Sequence, residues 1–160
     1  MAMDRAAFVA SLRAERTAFG EFCQLLEAEH ASLQRSDVEV LLKITQLKSD
    51  KVDRLAELAT VRTRYLDSAG LSTGREGMSD WMARLAGAEA AEVSNVWRQL
   101  VDFAARARRL NDSNGTLITT RMSHNQAALA AMQSAARAHS LYGPDGQASV
   151  VTGNRNLGTA

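Results

Sequence analysis

Between residues 4 and 34, apolar side chains recur at Phe8, Leu12, Phe19, Phe22, Leu26 and Leu33. These intervals combine threes and fours, the spacing that lines up one helix face, and they predict a first helix over about Asp4 to Gln34. Positions 15 and 29 complete the same stripe but hold Glu15 and Glu29. Ser36-Asp37-Val38-Glu39 follows, a serine able to cap helix amides with a glutamate three residues on that can reach back. It predicts a second helix over Asp37 to Ala69, with Leu41, Ile44, Val52, Leu55, Leu58, Tyr65 and Leu66 on one face. So short a connection makes the two helices an antiparallel hairpin. Face-to-face pairing sets Leu33 beside Leu41, Leu26 beside Lys48, Phe19 beside Leu55 and Phe8 beside Tyr65. Glu29 then falls near Thr45 and Lys48, and Glu15 within a turn of Arg62. Long side chains lay their stems along a seam and keep their heads in water, and that is the expected state of both carboxylates. The sharper alternative is that they fix the register.

Gly70, Gly74 and Gly77 break the pattern. Ser79-Asp80-Trp81-Met82 then starts a short helical piece ending near Gly87, with Trp81 as a plug on the hairpin end. A last helix is expected from Ala88 to His139, about 75 Å if unbroken. Its stripe runs through Val93, Val96, Leu100, Phe103, Ala107 and Leu110, then meets Asn114, Arg121 and His124 before a run of alanines. The turn formers at Asn111–Gly115 invite a break. Continuation is favoured, because Leu117 and Ile118 resume in phase with Leu110. A helix this long outruns the partners available within the chain, so its second half is expected to keep apolar surface uncovered.

Composition sharpens this picture. The only proline, Pro144, lies in Leu141-Tyr142-Gly143-Pro144-Asp145-Gly146-Gln147. Proline costs a helix interior about 3 kcal/mol, and its exclusion from the first 143 residues fits long uninterrupted helices. The expected organisation is one all-α domain over residues 1–139, an antiparallel hairpin plus a long C-terminal helix, followed by a flexible tail over 140–160. With 19 basic and 18 acidic residues the net charge is +1, so no global field draws the chain to nucleic acid or anionic lipid. Cys23, the lone cysteine, lies on the apolar stripe and reads as a small buried hydrophobe. No secretory signal and no bilayer-spanning apolar run stand out, and the expectation is a cytoplasmic protein.

Enzyme chemistry finds no foothold. Glu27-Ala28-Glu29-His30 has the Glu-x-x-His spacing of di-metal bundles, but neither His124 nor His139 supplies the second copy such sites need. The glycines lack phosphate-loop spacing, and there is no nucleophile elbow. Arg106, Arg108 and Arg109 read as a solvated helix face. No cofactor is expected. What remains is apolar helical surface, a receptor for another helix or the seam of a self-assembling coiled-coil adaptor.

The segment Leu110-Asn111…Asn114-Gly115…Leu117-Ile118…Arg121-Met122…Asn125-Gln126-Ala127-Ala128-Leu129, followed by Tyr142-Gly143-Pro144-Asp145-Gly146-Gln147, resembles the C-terminal half of the FlgN family. Leu26-Glu27-Ala28-Glu29-His30, Leu42-Lys43-Ile44-Thr45 and Gly77-Met78-Ser79-Asp80-Trp81 resemble its earlier parts. The resemblance implies a non-enzymatic flagellar export chaperone for the hook-filament junction proteins FlgK and FlgL. It also implies docking on the cytoplasmic domain of the export gate protein FlhA through Tyr142, flanked by Gly143, Asp145, Gly146 and Gln147. Cargo binding would map to about Asn111 through Ala136, with Asn114, Leu117, Ile118, Arg121, Asn125, Leu129 and Met132 as its expected residues. Self-association of the cargo-free chain is compatible with the same surface.

Overall fold

The structure is a computed structural model that describes residues 3–141. Four helices follow in order: α1 (Arg5–Arg35), α2 (Val38–Ser68), α3 (Arg75–Met82) and α4 (Gly87–Leu141), with no strand among the described residues. The chain divides into two compact units, Met1–Leu117 and Ile118–Ala160. Of the tail expected over residues 140–160, residues 140 and 141 still belong to α4, and the remainder lies outside the described residues.

In the first unit, Asp4 caps α1, its carboxylate accepting from the Ala7 amide at 2.6 Å. The turn into α2 differs from the sequence expectation. Ser36 does not cap α2; it takes the left-handed conformation (φ 59°) and ends α1. Its amide donates to the Leu33 carbonyl and the Asp37 amide to that of Ser32, a closure that satisfies two orphaned carbonyls. Asp37 then caps α2 by accepting from the Val40 amide at 3.2 Å. Two residues reverse the chain, and the hairpin forms.

Its register is the expected one. Phe8 stacks on Tyr65 with ring centroids 3.7 Å apart, and Lys48 reaches Glu29. Val52 departs from it: it is 48% exposed, on the outer face of α2. Lys51 holds the position in phase with Ile44, Leu55 and Leu58, and pairs with Glu21 instead of packing.

Helix α3 begins at Arg75, four residues before the expected start. Gly77 is no breaker but part of the helix, where a Cβ would lie 1.7 Å from the Ser72 carbonyl oxygen. Only glycine permits that approach of the loop. The helix then delivers Trp81 edge-on to Phe8 (4.7 Å) and Tyr65 (5.9 Å), the plug the sequence suggests. Val93 and Val96 of α4, Leu66 of α2 and Met78 of α3 complete this end of the core.

Helix α4 runs unbroken through Asn111–Gly115. Its contacts climb in step with α1: Arg5 with Glu89, Arg13 with Glu92, Arg16 with Gln99, Glu27 with Arg106. The two helices are therefore parallel, and α2 runs against both. A second apolar cluster, including Phe22, Leu26, Leu55, Leu58 and Ala107, fills the space between the three. Cys23 belongs to it, and its thiol donates to the Phe103 carbonyl at 3.3 Å. Burial raises the thiol pKa, partly offset by Arg106. Because the thiolate is the reactive form, Cys23 is expected to resist a thiol reagent at pH 8 and to react fully only after denaturation. Titration with and without denaturant checks this.

Candidate partner-binding surface

Two polar layers set the first unit before any partner arrives. Glu15 is 1% exposed and receives a two-pronged contact from Arg62, Nε to Oε2 at 3.0 Å and Nη2 to Oε1 at 3.2 Å. The guanidinium also lies 5.4 Å from the centre of the Trp97 ring, a cation–π placement that brings α4 into an α1–α2 ion pair. Glu29, 6% exposed, takes Lys48 Nζ at 3.0 Å. Its Oε2 also accepts from Asn114 Nδ2 at 2.8 Å, and the same amide nitrogen donates to the Leu26 carbonyl. Asn114 Oδ1 meets His30 Nδ1 at 2.9 Å, while His30 Nε2 meets Gln34 Nε2 at 3.1 Å. The pattern fits a neutral imidazole carrying its proton on Nδ1, donating to Asn114 and accepting from Gln34.

The expectation that both glutamates keep their heads in water is overturned. Buried charges persist where they are paired and hydrogen-bonded, and α4 supplies the cover that the hairpin alone lacks. Of the Glu-x-x-His pair, His30 joins this layer through Asn114, while Glu27 pairs with Arg106 at the surface. No buried side-chain nitrogen or oxygen among the described residues lacks a partner, and no cluster of metal-ligating residues occurs among them.

The residues expected to meet a partner separate into four groups. Asn114 is 0% exposed and committed to Leu26, Glu29 and His30, so it is not available on the surface. Leu117 and Arg121 are half-buried. Ile118, Asn125, Leu129 and Met132 are exposed, Met132 to 70%. Tyr142, Gly143, Asp145, Gly146 and Gln147 lie outside the described residues.

Within the second unit, Ile118, Met122, Asn125, Leu129 and Met132 follow one another at intervals of four, three, four and three. That is the heptad spacing of a helix–helix seam, apolar with one asparagine. Met122, more than half exposed, belongs to this face; its spacing from Ile118 is the signal that could have placed it there. Four large apolar side chains thus stand in water on one helix face, a patch of the kind that marks interaction sites. Among the described residues, no helix is long and apolar enough to cross a membrane.

The family model described as "FlgN protein" matches residues 1–149. The chain belongs to the FlgN family. No curated protein matches it. Among solved structures, the crystal structure of a Pseudomonas aeruginosa protein described as a flagella synthesis protein FlgN superposes with a TM-score of 0.65 at 22% identity. The match covers 72% of this chain and 89% of that one. At that identity the likeness speaks for the helical fold. FlgN membership ties the chain to flagellum biogenesis.

Proposed function

We propose that this protein is a non-enzymatic cytoplasmic export chaperone of the flagellum. It covers the C-terminal amphipathic helical segments of FlgK and FlgL, keeps them from assembling early and brings them to the export gate. The observation that carries this reading is the exposed heptad face Ile118–Met122–Asn125–Leu129–Met132, in a chain of the FlgN family. An amphipathic helix buries its apolar stripe against such a face, and the anchors at three and four spacing read its register. Methionine suits a surface that must accept two different cargoes, because its unbranched chain repacks readily. Asn125 sets alignment, as polar seam residues do in coiled coils. Leu117 and Arg121 border the face, and Ala128, Ala131 and Ala135 leave room for large side chains of the guest.

Burying one large apolar side chain contributes about 1.5–3 kcal/mol. Leu129→Asp and Met132→Asp are therefore each expected to weaken a FlgK C-terminal peptide by about 10- to 100-fold. Both positions are exposed, so the helical content should stay unchanged by circular dichroism. Calorimetric titration measures it, and affinities equal to wild type would remove the face from the proposal. Delivery is assigned to the tail, where Tyr142, Gly143, Asp145, Gly146 and Gln147 form the motif that docks on the FlhA cytoplasmic domain. Tyr142→Ala should leave the peptide affinity intact and weaken the gate contact.

A further inference from the structure

The three long helices leave one groove of the first unit unfilled. It lies between α2 and α4, has a volume of about 520 Å³, and is lined on its apolar side by Phe19, Ala59, Trp97, Val101 and Ala104. All five are half-buried, neither sealed in the core nor standing free in water. The α2 wall is low. Val52, Ala56, Ala59 and Thr63 follow one another at intervals of four, three and four, small or short side chains with no charge among them. Around this apolar trough the unspent charge is of one sign. The single carboxylate on the lining, Glu15, is taken up by Arg62. Arg75, in the first turn of α3, and Arg108 of α4 also line it, and both are exposed. Neither makes an ion pair or a side-chain hydrogen bond among the described residues.

We propose that this groove receives an acidic amphipathic helix of a partner protein, laid as a fourth helix beside α2 and α4 and apart from the cargo face. The chemistry of the guest follows from the lining. A purely apolar helix would leave two arginines unanswered, and a basic one would be repelled by them. Arginine holds a carboxylate with two parallel hydrogen bonds, so acids on the guest answer both. The two cations stand toward opposite ends of the trough. Arg75 belongs to the end where α3 packs with Val93 and Val96, and Arg108 follows Trp97 by eleven residues, about 16 Å along α4.

A helix brings positions i, i+4, i+7 and i+11 to one face. Carboxylates at the first and last of these meet the two arginines, and large apolar side chains at the middle two cover Trp97 and Val101. Alanines at 59 and 104 let the guest backbone come close, and four helices around one core is a common way to close the open face of three. The contact is small, so its dissociation constant is expected at about tens of micromolar.

The probe is a synthetic alanine-rich helical peptide with two glutamates eleven residues apart and leucines four and seven residues after the first. Fluorescence anisotropy of the labelled peptide, titrated with the full chain, measures its binding. Arg75→Glu and Arg108→Glu should each weaken it at least fivefold. Ala105→Trp, which fills the groove from its exposed rim, should weaken it at least tenfold. The exposure of all three positions allows unchanged helical content, which circular dichroism checks. Arg109→Glu makes the same charge change off the groove and should stay within twofold of wild type. A peptide with lysines for glutamates should not bind. Excess FlgK C-terminal peptide should not displace the probe, and Leu129→Asp should leave its affinity unchanged, so failure of this site is distinguishable from failure of the cargo face. No binding to wild type, an equal loss in Arg109→Glu, or displacement by the FlgK peptide would each overturn the proposal.

Discussion

Replacing Arg62 with alanine is expected to destabilise the protein by about 3–5 kcal/mol, the usual penalty when one partner of a buried pair is removed. Glu15 is 1% exposed, and Arg62 supplies all its side-chain hydrogen bonds. The truncation strands a carboxylate in the interior and also strips the guanidinium from the Trp97 ring. In a chain of this size the melting temperature should fall by roughly 10 °C or more. The control is Glu15→Leu with Arg62→Leu. Exchanging both charges for apolar groups is often neutral or stabilising, so the double variant should regain most of the loss. Thermal melts of the three proteins decide it. A double variant as unstable as Arg62→Ala would mean that shape, not charge, makes this contact.

Asn114→Asp should be similarly severe. The amide nitrogen it replaces stands 2.8 Å from Glu29 Oε2 and also serves the Leu26 carbonyl. An aspartate there puts a second carboxylate against a buried first one and removes both donations. Lys48 alone cannot neutralise the two, so the loss should be about 3 kcal/mol or more at neutral pH. Two carboxylates sharing one site raise the proton affinity of the pair in the folded state. The folded variant then binds more protons than the unfolded chain, so acidification favours folding relative to wild type. The gap between Asn114→Asp and wild type should narrow as the pH is lowered from 8 toward 5. Urea melts along that series measure it. Asn114→Ala, lacking the new charge, should show a smaller loss with little such narrowing.

The same two layers mark where the sequence could be read and where it could not. Phe8 against Tyr65, the Trp81 plug and the position of Lys48 all follow from spacing, because a hairpin with a two-residue turn leaves one register free. Whether Glu15 and Glu29 sit in water or in the core depends on a third helix. Trp97 and Asn114 come from α4, more than 80 residues after Glu15 and Glu29, and nothing in the hairpin's periodicity says which α4 side chains arrive opposite them. Asn114 misleads for that reason: it stands where the α4 stripe turns polar, which suits a partner-facing residue equally well. Val52 misleads because α2 has two adjacent apolar stripes, and eight residues past Ile44 is one step off the inner one. Gly77 looks like punctuation until the Ser72 carbonyl is seen against it. The exposed face from Ile118 to Met132 was legible from helix length, since α4 is far longer than either hairpin helix.

Glu15 and Glu29 are fourteen residues apart, and so are Lys48 and Arg62. Coiled-coil-like packing is forgiving of a slide by seven, since leucine then meets leucine much as before. Here such a slide would set Glu29 against Leu41 or Leu55, and Glu15 against Leu55 or Ala69, with no cation for either. A hairpin caught one heptad out of step would therefore bury two unanswered acids as soon as α4 packs over it, and must let go and try again. The charges work as tally marks on two otherwise repetitive rods, rejecting near-miss alignments that grease alone would accept.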